Sequence, residues 1–396
     1  MIRRDTYLSD LERLKDKRFI KVLTGVRRSG KSTLLALFQE QLITNQVSQT
    51  QIQSYNFEDL ALADYLDYRK LYEKITDNLQ ADQMNYIFLD EIQMVPEFER
   101  VLDSLFIKEN VDLYVTGSNA YMLSGELATL LSGRYVELKV YPLSFAEFFS
   151  AMSGDKTTAF QRYLEFGGFP YVTEIPDELT YRDYISGIVN TVLIKDILQR
   201  KQRSDATLVE QLAKYLTDSS GSLVTIKKIA DTLTSMGQKT TSDTVSTYLS
   251  GFQEAYLFFR ADRYDIAGKK YLSINSKYYP VDQSLRKVLL GNKRPNFGHR
   301  LEGVVYLELL RRGYHVFIGN IGEFEIDFVA QKNGVTEYYQ VSLTVEDDRT
   351  YQREVRPFQS IQDNYRKILL TMDNGSYNQE GIEQLNIVEW LLSTQD

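Results

Sequence analysis

The sequence predicts an α/β protein of several domains whose first domain is a phosphate-binding parallel sheet. Three observations predict it. The chain has 396 residues, too many for one core of ordinary size, so two to four domains are expected. From Phe19 to about Ser150, apolar strand-like runs alternate with longer helical patterns, the order that builds a parallel sheet. The first of those runs leads straight into a glycine-rich loop and then a helix.

Composition narrows the class. Hydrophobic residues make up 43% and charged residues 25%, which fits a folded globular chain and excludes disorder or a fibrous repeat. No run of about 18 uncharged apolar residues occurs, and the N-terminal segment is too charged for a signal peptide, so no membrane partner and a cytoplasmic location are expected. With no cysteine and two histidines, thiolate zinc and iron–sulfur clusters are excluded, and any metal is expected to be oxygen-held Mg²⁺. A net charge of −8 argues against nucleic acid coating the whole surface but leaves room for a local basic face.

In chain order, strands are expected at Phe19–Leu23, Gln51–Tyr55, Tyr86–Leu89, Leu113–Thr116 and Tyr135–Val140 within a domain spanning 1–150. Residues 151–203 read as a helical lid or connector, broken at Gly167-Gly168-Phe169-Pro170 where two glycines and a proline end one helix and turn the chain. Residues 204–295 give a short strand, two helices and a hairpin, Tyr256–Tyr264 with Lys270–Ile274, the outline of a winged helix. In 296–396 a helix precedes strands at Tyr314–Ile318, Phe324–Ala330, Tyr338–Leu343 and Ile368–Thr371, a small second α/β domain.

The loop reads Gly25-Val26-Arg27-Arg28-Ser29-Gly30-Lys31-Ser32 and matches GxxxxGK[ST]. Its glycines let successive amides face a polyphosphate, so Gly25, Arg28, Ser29, Gly30, Lys31, Ser32 and Thr33 are the candidate ATP contacts. Lys31 adds a positive charge, and the Ser32 hydroxyl suits Mg²⁺. About sixty residues on, the apolar run Tyr86–Leu89 ends in Asp90-Glu91; Asp90 is the second candidate Mg²⁺ ligand and Glu91 the residue to orient the attacking water. The next strand ends Thr116-Gly117-Ser118-Asn119. Asn119 or Ser118 either contacts the γ-phosphate or the attacking water, or caps the following helix. Arg134, just before the fifth strand, is either an arginine finger for a neighbouring subunit's nucleotide or an ordinary surface arginine.

Taken together, GVRRSGKST, LDEIQ, TGSNA, SGRY, PLSF and GGFP resemble a bacterial and archaeal group of AAA+ ATPases with a C-terminal domain of unknown function. The resemblance covers nearly the whole chain. It implies ATP hydrolysis, a sheet order of 5-1-4-3-2, and transfer of the family's roles onto Lys31, Ser32, Asp90, Glu91, Asn119 and Arg134; with Arg134 as a finger, the protein is expected to work as a homo-oligomer, a hexamer-like ring. A second-sensor arginine is not located in the helical segment.

Two further features bear on partners. From Arg260 to Arg294 the chain carries nine Lys or Arg against three acids, interleaved with Tyr264, Tyr271, Tyr278 and Tyr279. Lys227, Lys228, Arg260, Arg263, Lys269, Lys270 and Lys277 are therefore candidate DNA contacts, the bland alternative being a solvated face or a protein-docking module. In the last domain Glu302, Asp327 and Gln340 resemble the acid–acid–amide core of PD-(D/E)xK nucleases, but Ser342 stands at the lysine position. Without that cation, water activation is impaired unless a lysine or arginine enters from elsewhere, so a retained fold without cleavage is expected. The combined expectation is DNA remodelling or translocation driven by ATP, the alternatives being an assembly switch indifferent to DNA or an ATP-dependent nuclease.

Overall fold

The structure, a computed structural model, describes residues 2–118, 133–198, 205–291 and 297–393. The chain divides into two compact units, one of residues 1–142 with 254–256 and one of the remainder.

The first unit is a five-stranded parallel sheet built from β1 (Ile20–Thr24), β2 (Ile52–Asn56), β3 (Asn85–Asp90), β4 (Val111–Gly117) and β5 (Tyr135–Lys139). Its order is β2-β3-β4-β1-β5 with every pairing parallel, the expected 5-1-4-3-2. Strands β1 and β3 are buried along their whole length, which is why they read as unbroken apolar runs and not as alternating ones. Helices α1 (Asp5–Leu14), α2 (Lys31–Thr44), α3 (Tyr68–Thr76) and α4 (Phe98–Phe106) accompany the sheet. In α2 Leu34, Leu35, Phe38 and Leu42 are fully or almost fully buried against Leu23, Phe88 and Tyr114. At about 1.5–3 kcal/mol per side chain, that face fixes the first turn of α2 beneath the ends of β1, β3 and β4.

The second unit begins with helices at Phe145–Ser150, Lys156–Phe166 and Glu178–Thr191. Between the latter two, Gly167 has φ +78, and a Cβ there would fall 1.8 Å from the Asp282 carboxylate. Gly168 donates its amide to the same carboxylate at 2.6 Å, so the Gly-Gly-Phe-Pro turn is built around a buried acid whose pKa burial pushes up.

Helices at Ala206–Asp218, Ile226–Ser235 and Ser242–Glu254 are followed by β6 (Phe258–Asp265) and β7 (Lys270–Pro280). The hairpin itself is as expected; its continuation is not. Strand β6 pairs in parallel with β8 (His315–Ile321), so the hairpin belongs to an eight-stranded sheet with β9 (Phe324–Lys332), β10 (Val335–Val341), β11 (Arg366–Thr371), β12 (Tyr377–Gln379) and β13 (Ile382–Asn386), ordered β12-β13-β11-β10-β9-β8-β6-β7. The expected division at 295/296 therefore does not separate two sheets. A free wing has an outer edge with unpaired amides, and here β8 covers that edge. The expected strand near Leu223–Ile226 is a single bridge between Val224 and Ser276.

Candidate nucleotide site and a second charged cluster

Burial of α2 places the loop 25–30 at the ends of the parallel strands, the edge where open α/β sheets bind ligands. At Gly25 φ is +144, and a Cβ would lie 2.1 Å from the Val140 carbonyl oxygen; only glycine lets β1 and β5 approach so closely. Arg28 (φ 65) and Gly30 (φ 96) are left-handed and curl the chain into the N-terminus of α2. Ser29 is fully buried, and its carbonyl accepts a hydrogen bond from the buried Arg4 guanidinium at 3.1 Å. The sequence reading missed Arg4, because an isolated arginine ahead of a helix carries no motif.

The Lys31 ammonium is 4% exposed. It donates to the Gly25 and Val26 carbonyls at 3.0 and 3.3 Å and lies 3.9 Å from the Glu91 carboxylate. Thus the loop lysine and the acid at the end of β3 share one pocket. Asp90 and Glu91 are both buried. Thr116 Oγ1 donates to Asp90 Oδ1 at 2.5 Å and accepts from the Glu91 amide at 2.9 Å, while Gln93 donates to Glu91 Oε2 at 2.5 Å. Ser32 and Thr33 sit exposed on the first turn of α2.

Of the polar group after β4, Ser118 is fully buried with its hydroxyl unpartnered among the described residues, and Asn119 lies outside the described residues. Arg134 precedes β5, where its carbonyl accepts from the Ile20 amide at 2.8 Å. Its side chain is ion-paired to Asp103 and lies 5.7 Å from the Phe106 ring centroid. Within one protomer this arginine already has a partner on α4.

These residues fit a nucleoside triphosphate with Mg²⁺. The Gly25 cradle admits no side chain, the buried hydroxyls of Ser29 and Ser118 have no partner among the described residues, and the donors are all oxygens. Among the described residues no group of three or more His, Asp or Glu surrounds a common metal position.

In the second unit the candidate DNA contacts separate by burial. Lys227, Lys228, Lys269 and Lys270 are exposed, and Tyr271 beside them is 66% exposed. The others are engaged internally: Arg260 with Asp262 and Ser276, and Arg263 with Asn320. Lys287, part of the same basic excess, pairs with Glu165 and Glu178 and covers the Phe166 ring. Lys277 requires a correction. It is buried and paired to Glu302 at 2.7 Å and to Glu325 at 2.8 Å, so it is no surface contact.

The acid–amide set is assembled. Asp327 Oδ2 accepts from the Val341 amide at 2.8 Å, and Gln340 Oε1 accepts from the Asp327 amide at 3.0 Å. Glu302 also accepts from the Tyr279 hydroxyl at 2.5 Å. Burial pushes the Asp327 carboxyl up to about 8, with the Glu302 charge adding to the effect and Lys277 opposing it. Lys277 is held protonated, its neighbouring carboxylates outweighing burial. A cation therefore does enter this cluster, from β7 and not from the Ser342 position, where the hydroxyl donates to the Thr344 carbonyl. The sequence signal was present: Lys277 and Tyr279 share one face of a strand by period two.

A phosphate loop on a 5-1-4-3-2 sheet, with Glu91 facing the loop lysine and Asp90 beside it in the chain, defines a P-loop protein of the AAA+ class. Residues 17–149 match the family model described as AAA domain, and 157–296 match a domain of unknown function. The chain is 40% identical to an uncharacterized protein of Haemophilus influenzae over 99% of both chains, and 28% identical to an uncharacterized protein of Methanocaldococcus jannaschii over 93% of this chain and 84% of that one. The chain belongs to one family with the former, and its residues 17–149 form the AAA domain. Among solved structures, a Walker-type ATPase of Pyrococcus abyssi is similar at 13% identity and TM-score 0.49, covering 73% of this chain and 96% of that one. AMPPCP-bound DnaA from Aquifex aeolicus is similar at 15% identity and TM-score 0.32, covering 63% and 86%.

Proposed function

We propose that this protein hydrolyses ATP with Mg²⁺ as a homo-oligomer, a hexamer-like ring, and couples turnover to binding and remodelling or translocating DNA in the cytoplasm. The observation that carries the hydrolytic reading is the shared pocket of Lys31, Asp90 and Glu91. The loop amides from Gly25 to Thr33 and the Lys31 charge bind and orient the phosphates. Ser32 and Asp90 are the residues to hold Mg²⁺, which supplies charge neutralisation for the leaving oxygens. Glu91 orients the attacking water and accepts its proton, and Asn119, which follows the next strand in the sequence, is the residue expected to contact the γ-phosphate or that water. Arg134 completes the site of a neighbouring protomer once it exchanges Asp103 for the γ-phosphate; Arg134→Ala then retains ATP affinity and loses turnover by about 10³-fold.

The DNA reading is supported by the exposed Lys227, Lys228, Lys269 and Lys270 with Tyr271, cations and a stacking surface in one unit. ATPase rates with and without linear and branched DNA test it, with Glu91→Gln as the background control. Stimulation lost on Lys269→Glu/Lys270→Glu supports coupling; rates indifferent to DNA assign the protein to an assembly switch.

A second reading, an ATP-dependent nuclease, is favoured by one observation: Lys277 brings a cation to the Glu302–Asp327–Gln340 cluster. Mg²⁺-dependent strand scission abolished by Asp327→Ala supports it, and an intact strand at every metal concentration removes it.

A further inference from the structure

Thr116 lies in β4, fully buried, beside the strand that carries the two acids. Its hydroxyl has one proton and two lone pairs. The proton goes to Asp90 Oδ1 at 2.5 Å, and a lone pair takes the Glu91 amide at 2.9 Å. Glu91 has φ 54 and ψ 44, a left-handed conformation that costs a residue with a Cβ free energy unless its surroundings enforce it. The hydrogen bond to Thr116 fixes the amide on which that conformation turns, and the turn carries the Glu91 carboxylate to 3.9 Å from Lys31. The same hydroxyl holds one Asp90 oxygen and so sets the direction of the other. Ser118, two residues on and facing the same way along the strand, makes no such bond among the described residues.

We propose that Thr116 is a positioning residue that sets Asp90 and Glu91 in register, so that the metal-holding and water-orienting carboxylates are aligned before substrate arrives. This rests on the ATPase reading above. Partners that orient a ligand from behind it contribute about 10–100-fold to metal affinity or activity.

The test compares Thr116→Val, which removes the hydroxyl at similar volume, with Thr116→Ser, which keeps it. The readout is equilibrium affinity for a fluorescent ATP analogue, measured once in Mg²⁺ and once in EDTA. Thr116→Val is expected to bind as the parent does in EDTA and to lose about 10–100-fold of affinity in Mg²⁺, and Thr116→Ser is expected to restore the parental values. An undiminished Mg²⁺ effect in Thr116→Val overturns the proposal. So does an equal loss in EDTA and Mg²⁺, which assigns the residue to strand packing. If Thr116→Val melts below the assay temperature, Thr116→Ala takes its place with the same two outcomes. A parent protein that binds no nucleotide in either buffer defeats the ATPase reading instead, before any variant is compared.

Discussion

Asp327 is held where its charged form is disfavoured: burial and the Glu302 charge keep its carboxyl protonated up to about pH 8. In the unfolded chain the same group ionises near pH 4. Between those values the folded state binds more protons than the unfolded one, so this residue makes stability fall as pH rises. Asp327→Asn keeps the shape and removes the titration. The stability difference between the variant and the parent is expected to move in the variant's favour from pH 5 to pH 8, by up to about one proton's worth of slope. Urea melts at several pH values measure it; parallel curves for the two proteins contradict the assignment. The Asp327 amide bonds Gln340 and its carboxylate bonds the Val341 amide, so the melt reports a group tied into two strands.

Element by element, what could be read from the sequence followed from locality. The phosphate loop, the Asp90-Glu91 strand end and all five strands of the first sheet are contiguous signals, and each appears within a residue or two of its expected place. The pairing of β6 with β8 joins residues more than fifty positions apart, and no periodicity announces a partner at that distance. The hairpin therefore read as the wing of a separate domain, and Lys277 read as a surface cation when it fills the charge missing at Ser342. The short strand β12 escaped for a different reason: Tyr377–Gln379 is exposed throughout, so it carries no buried-face pattern. These pairings predict how fragments behave. Residues 296–396 alone lack β6 and β7, leave the edge of β8 open and strip Glu302 of Lys277, an unpaired edge and an uncompensated acid together. That fragment is expected to associate or melt without cooperativity in size-exclusion and circular-dichroism measurements. A fragment from residue 143 onward keeps the whole sheet and is expected to melt in one transition. A monomeric, cooperatively melting 296–396 fragment contradicts the role given to the hairpin.

At the scale of the molecule, the first unit carries a buried lysine–acid pocket at the ends of a parallel sheet, and the second unit carries the exposed cations and the Lys277 cluster. Among the described residues no helix is long and apolar enough to cross a membrane. Every activity proposed for the whole depends on the pocket in the first unit gripping a triphosphate. Equilibrium ATP affinity of the parent and of Lys31→Ala, with turnover recorded on the same samples, tests this most directly. The account predicts that the parent binds and hydrolyses ATP and that Lys31→Ala, correctly folded by its melting curve, loses both by at least about 10²-fold. Parental affinity and turnover in Lys31→Ala would contradict it.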